Sequence, residues 1–330
     1  VPLDPVPKAA PGYLRPGSDP NVLPAPVLIA DKLNNRLLIV DQRGRVRWVF
    51  PRPGDLVPGQ TFRIPDDAFF TPDGRYIIAT QEDDFVITVI DVANHRIVWR
   101  YGHPGVPGSG PNYLWNPDDA MLLRDGQVIS ADIKNCRIIR IPYGDHAVSW
   151  QQGTIGSCYH NPPSNYGSPN GVFPLPNGNF LVTEINGDWV DEITPAGRVL
   201  WSANPPGVSY PSDSNQTGPG RYLTVDYSTP GQIVEFDRGG HLLWRYNPPN
   251  PPASLNHPSL AVGLPNGDVL LNDDQNHRVI VIDPRTDKIV WQYGHDGVSG
   301  RGPGYLDNPD GLDLVPPYSY ADRFMTKASV

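Results

Sequence analysis

Six prolines in this 330-residue chain are each followed directly by a small, oxygen-bearing side chain: Asp66, Asp118, Asn170, Ser212, Ser259 and Asp310. Three of these are followed at once by a further carboxylate, at Asp67, Asp119 and Asp213. Carboxylates brought together on one axis repel one another, so such a set must bind a hard cation, share protons or be spread by water. In the functional reading, Asp66, Asp118, Asn170 and Asp310 hold a calcium ion or a catalytic metal. In the structural reading, small polar residues after proline cap the start of a strand and bond to the neighbouring repeat.

Histidines supply the second candidate set. His160 lies in Ser157–Tyr166, an irregular stretch matched nowhere else in the chain, and His257 precedes the proline of Ser259, with Tyr210 in the corresponding place of the preceding repeat, before the proline of Ser212. His160 and His257 are expected to face each other across the ring with the carboxylates beneath. Two imidazoles over carboxylates can bind a transition metal, or act as base and electrophile in hydrolysis or elimination. The alternative is that each packs against its own loop. His103 and His295 occupy near-duplicate glycine-rich loops and are expected to brace them; His95, His146 and His241 fall in turns on the opposite face and are expected to be solvated. Tyr113, Trp115, Tyr159, Tyr166, Trp189 and Tyr210 form either a sugar-stacking or ligand platform or packing between repeats.

Other chemistries lack their residues. There is no Gly-x-Ser-x-Gly nucleophile motif, no zinc-type cysteine spacing, and no helix or Lys-Ser/Thr after the glycine loops, so a nucleotide site is not expected. A formal net charge of −9 argues against a nucleic-acid surface, and no 18-residue apolar run is present to span a membrane. The first 26 residues carry eight prolines and follow no initiator Met, as expected of a mature secreted or envelope chain, although a trimmed chain would look the same. Cys136 and Cys158 lie in one repeat, where either a disulfide or two buried thiols fits the spacing.

The elements that position these residues recur with a regular period. Trp48, Trp99, Trp150, Trp201, Trp244 and Trp291 fall at one place in a repeat, 43 to 51 residues apart. Short strand-like runs separated by Gly, Pro, Asn and Asp turns, at that period, mark propeller blades. Residues 27–50 make only three strands, and 309–315 make the missing first one. The expected fold is therefore all-β: a six-bladed propeller of four-stranded antiparallel blades, closed by strand exchange between the chain ends. A proline-rich extension (1–26) precedes it, either extended along the outside or loose; the propeller spans 27–315 and a tail 316–330.

Three repeats contain Asp-x-x-Asn-x-Arg before an aliphatic residue: Asp31, Asn34 and Arg36; Asp132, Asn135 and Arg137; Asp273, Asn276 and Arg278. This resembles the signature of NHL-repeat propellers, in which the Asp and Arg brace the turn between the second and third strands. The run Asp283–Trp291 resembles the blade of quinoprotein-type propellers. As a whole the chain is similar to bacterial secreted propellers labelled NHL-like or quinoprotein-like. Two functions of different class follow. The first is a secreted or envelope binding propeller whose upper face and channel mouth take a small molecule, glycan or protein loop, through Trp115, Tyr159, Tyr166 and Tyr210, with a structural cation. The second is a metal-dependent hydrolase or lyase. Resemblance to calcium-dependent lactonases and NHL-type lyases implies for it an ion on Asp66, Asp118, Asn170 and Asp310, with His160 or His257 as base or ligand. A quinone cofactor is disfavoured, because the matching Trp segments look like blade framework.

Overall fold

The computed structural model describes residues 1–325. Six sheets, each of four antiparallel strands, form a closed ring of blades. Their inner strands are Pro309–Leu314, Ala68–Phe70, Pro117–Leu122, Pro169–Pro174, Pro211–Gly218 and Ala261–Gly263, numbered here as blades I to VI. Blade I is completed by Val27–Asp31, Arg36–Val40 and Val46–Phe50, so the last strand of the chain pairs antiparallel with the first. Closure of this kind gives the first blade its inner strand and leaves only short edges, protected within the ring. Residues 326–330 of the expected tail lie outside the described residues.

The recurring tryptophans stitch blade to blade. Each stands in an outer strand, and the indole N–H of Trp48, Trp99 and Trp291 donates to a main-chain carbonyl of the next blade: Val92, Asp145 and Gln42 respectively. Trp244 reaches the side chain of Asp287 in the same way. Trp201 departs from the pattern by donating to Glu192 of its own blade. A large apolar ring with one donor suits a seam between sheets, where it fills the wedge and satisfies an otherwise orphaned carbonyl.

Both chain ends pack on the propeller. Main-chain N–H groups of Asp4, Arg15 and Asp19 donate to the carbonyls of Arg47, Gln292 and Val290, so the proline-rich extension covers the outer edges of blades I and VI. At the other end a short helix, Tyr320–Phe324, closes the bottom of the channel. Its Tyr320 ring lies 5.0 Å from Phe173 and 6.3 Å from Phe69, and its hydroxyl donates to the Pro174 carbonyl.

Candidate functional site

The Asp-x-x-Asn-x-Arg repeats build the upper face. In blade III, Asp132 Oδ2 accepts from Asn135 Nδ2 at 2.8 Å and Arg137 Nε at 2.7 Å, while Oδ1 accepts the main-chain N–H of Trp115 at 2.7 Å. Asp31 and Asp273 make the same three bonds, to Asn34, Arg36 and Asp307 and to Asn276, Arg278 and Asn256. One buried carboxylate thus ties the turn between strands two and three to the loop that enters strand one. The turn is a single 3-10 turn ended by a left-handed residue: Asn35, Cys136 and His277 have φ of 54 to 55°.

This clamp sets two rings of side chains around one small cavity of about 80 Å³ at the channel mouth. The first ring is the set read from the prolines, and all six residues line the cavity: Asp66, Asp118, Asn170, Ser212, Ser259 and Asp310. The second ring comes from the residue just after the brace position and was missed. It brings Lys32, Glu82, Ile133, Ile185 and Tyr227 to the cavity wall. The signal that could have found it is the braced carboxylate itself, because a turn clamped at its first residue must aim its second at the axis.

Lys32 is the residue that changes the chemistry. Its ammonium bonds Asp66, lies 2.7 Å from Asp310 Oδ2 and 3.6 Å from Glu82 Oε2, and is largely buried. Burial works against this charge, but Asp310, Asp66 and Glu82 together outweigh it and hold Lys32 well above the usual lysine range. Two of the four residues expected to hold a metal, Asp66 and Asp310, are thereby already engaged by a cation belonging to the chain. Burial and the Asp66 charge still push Asp310 up to about 7, despite Lys32. Asp118 is pushed well up by burial, Asp66 and Asp213. Asn170 donates to the Pro211 carbonyl, and its own oxygen is buried without a partner. The rim thus carries one ammonium against four carboxylates, with Tyr210 and Tyr227 beside them.

Below the mouth Asp67, Asp119 and Asp213 form a second group, with an oxygen of each within 4.8 Å of the others. All three are buried, and an Oδ1 of each has no hydrogen-bond partner. Glycines make room for them: a Cβ on Gly311 would lie 2.6 Å from Asp67 Oδ1, and one on Gly171 would lie 2.9 Å from Asp213 Oδ1. Burial raises Asp119 to about 8, even with the Val172 N–H donating to it, and raises Asp67 and Asp213 well above the carboxylate range. These residues can share protons or hold a hard cation; oxygen-only donors suit calcium or magnesium.

The two candidate histidines do not meet across the mouth. His160 Nδ1 lies 2.9 Å from Glu184 Oε1, and its ring stacks on Trp189 at 4.1 Å. His257 Nδ1 bonds Asn256 Oδ1, and its ring packs on Tyr227. The loop of His160 turns its imidazole into blade IV, and His257 leans on Tyr227 of blade V, so the expected facing pair is corrected. Burial lowers both histidines below the usual range, in each case against a nearby aspartate. Tyr166 is wholly buried and donates to Gln152, which removes its ring from any ligand platform. Trp115, Tyr159 and Tyr210 are exposed as a platform requires. His103 packs at a tilt against Tyr113 and His295 stacks on Tyr305, in keeping with loop braces. His95, expected in solvent, is instead buried against Trp48, because the indole that crosses the seam covers it.

Cys136 and Cys158 form a disulfide, and no helix is long and apolar enough to cross a membrane among the described residues.

Comparison with known proteins agrees with the architecture. Residues 144–301, just under half of the chain, match the family described as outer membrane protein assembly factor BamB. No curated protein matches. Among solved structures, a protein of unknown function from Bacteroides caccae is similar at 17% identity and a TM-score of 0.61, over 89% of this chain and 100% of that one. A chain of a nidogen/laminin complex aligns at 15% identity and 0.59, over 88% and 98%. A streptogramin B lyase aligns at 15% identity and 0.56, over 92% and 94%. At such identities the likeness is one of fold.

Proposed function

We propose that this chain is a binding propeller whose channel mouth captures a cationic group, an ammonium or guanidinium carried by a small molecule or a protein loop. One observation carries the reading: four carboxylates and a single ammonium share a cavity of about 80 Å³ walled by Tyr210 and Tyr227. An entering cation favours the ionised form of the carboxyls that burial holds protonated, Asp118 and Asp310 among them, and tyrosine faces add cation–π attraction. Whole small-molecule ligands fill pockets of roughly 300 Å³ or more, so the mouth suits one headgroup and the exposed Trp115, Tyr159 and Tyr210 suit the remainder. A disulfide favours an oxidising compartment, and the match to a family described as an outer membrane assembly factor supports an envelope or extracellular setting.

Calorimetric titration with putrescine, an oligolysine peptide and an uncharged oligosaccharide tests this. Binding of the two cations, weakened by salt and by Asp118→Asn, is the expected result. Binding of the sugar alone, or of none of the three, sinks the reading.

A second reading, a metal-dependent hydrolase or lyase centred on the mouth, draws on one observation. Oxygens of Asp66, Glu82 and Asp118 converge within 4.8 Å, a fit for a hard cation. It ranks second because Lys32 already bonds Asp66 and stands beside Glu82, so a metal there must displace the ammonium.

A further inference from the structure

Blade IV rebuilds the brace that the other repeats share. Glu184 stands where blades I, III and VI have the clamping aspartate, and Trp189 stands where they have arginine. Two residues further on, the sites of Leu38, Ile139 and Ile280 are taken by Asp191. The blade has thus lost its cation and gained a second carboxylate in its interior. His160 enters the vacated place from the loop before the blade, with Nδ1 at 2.9 Å from Glu184 Oε1 and 3.9 Å from Asp191 Oδ2. Glu184 and Asp191 are wholly buried. Glu184 Oε2 takes the Gly167 N–H and Asp191 Oδ1 takes the Ser202 hydroxyl, but Asp191 Oδ2 has no partner. A buried acceptor without a partner costs about 1–3 kcal/mol, and more when charged.

We propose that His160 Nδ1, Glu184 Oε1 and Asp191 Oδ2 are the three protein ligands of a divalent first-row transition cation, with zinc as the reference case. Ligands about 2.0–2.1 Å from zinc in tetrahedral geometry lie roughly 3.3 Å apart. The two histidine–carboxylate separations, 2.9 and 3.9 Å, bracket that value, and one ligand atom of each residue lies within 4.8 Å of the others. One imidazole with two carboxylates suits a transition ion better than calcium, which takes six or more oxygens. Surrounding groups also hold each ligand in place. The Cys136–Cys158 disulfide pins the loop two residues before His160, Asn186 Nδ2 donates to the Cys158 carbonyl, and Trp189 backs the imidazole at an interplanar angle of 10°. The carboxylates are held by Gly167 and Ser202 as above. Three protein ligands with a partly exposed histidine leave a coordination place open, as in catalytic rather than closed structural zinc sites. The competing arrangement needs no metal: Asp191 keeps its proton for Glu184, and His160 serves as a neutral brace.

The test uses the whole chain after chelation, titrated with cobalt(II) under visible spectroscopy and with zinc under calorimetry. One equivalent of cobalt should give d–d absorption that zinc abolishes. His160→Ala and Asp191→Asn should each weaken zinc by about 100-fold or more, whereas Asp118→Asn at the mouth should change it less than about threefold. No cobalt spectrum at equimolar metal, or zinc affinity that survives His160→Ala, overturns the assignment. So does a signal lost with Asp118→Asn instead. Should Asp191→Asn fail to fold, His160→Ala decides, because that residue lies on a partly exposed loop.

Discussion

Lys32 Nζ donates to Asp310 Oδ2 at 2.7 Å, joining residues 278 apart in sequence. The same ammonium bonds Asp66 of blade II, so one side chain ties the two chain ends together and the first inter-blade seam to both. Site and closure are therefore one structure. The rim cannot be altered at this point without loosening the ring.

Lys32→Met should consequently cost stability. Removing one partner of a buried ion pair leaves uncompensated charge, worth about 3–5 kcal/mol. Asp310, already pushed up to about 7, can escape that cost by keeping its proton, so the loss should be smaller at pH 5 than at pH 8. Denaturant melts of both proteins at the two pH values check this. Equal loss at both would mean that Lys32 acts through packing and not through charge.

The buried Asp67, Asp119 and Asp213 predict a pH dependence of definite sign. Each keeps its proton in the folded chain to a higher pH than in the unfolded one, where aspartate titrates near ~4. Their contribution to stability is whole below that value and declines as pH rises through the folded one, about 8 for Asp119. Chelated protein should therefore melt at progressively lower temperature from pH 5 to pH 9, with a slope of at most ~1.4 kcal/mol per pH unit for each linked proton. Asp119→Asn should flatten the decline, and millimolar calcium should do so as well if the group accepts a cation. A melting temperature that rises over this range would contradict the assignment.

Not all the tryptophan stitches should weigh equally. Trp291 is fully buried and donates to the Gln42 carbonyl, whereas Trp244 is less covered and bonds an aspartate side chain that water can serve instead. Trp291→Phe should cost about 1–3 kcal/mol, from the orphaned carbonyl and the smaller ring. Trp244→Phe should stay below about 1 kcal/mol. Chemical denaturation of the two single variants separates them.

Reduction of Cys136–Cys158, which spans 22 residues, should lower stability by about 3 kcal/mol through the entropy of the freed loop. Because this bridge lies two residues from His160, reduction should also weaken cobalt binding at blade IV while leaving putrescine binding at the mouth unchanged. Spectroscopic and calorimetric titrations with and without reductant make the comparison.

The amino-acid sequence by itself determined the six-bladed ring, its closure by the last strand, and the first ring of polar residues at the mouth. Each rests on a repeat, and a repeat places equivalent residues at equivalent positions whatever the details of packing. The Asp31, Asp132 and Asp273 braces were legible for the same reason. What only the tertiary structure decided lies where the repeats differ from one another. Lys32 is the one cation among the six residues that follow the brace positions, and its meeting with Asp66 and Asp310 depends on a contact between opposite ends of the chain. His160 stands ten residues before Asn170 and His257 two before Ser259. Which way each imidazole turns was decided by its loop and by the disulfide, neither of which has a counterpart in another blade. Asp191 carries no signal in composition or spacing, and its meaning appears only once it is seen buried beside Glu184 with an oxygen unpaired.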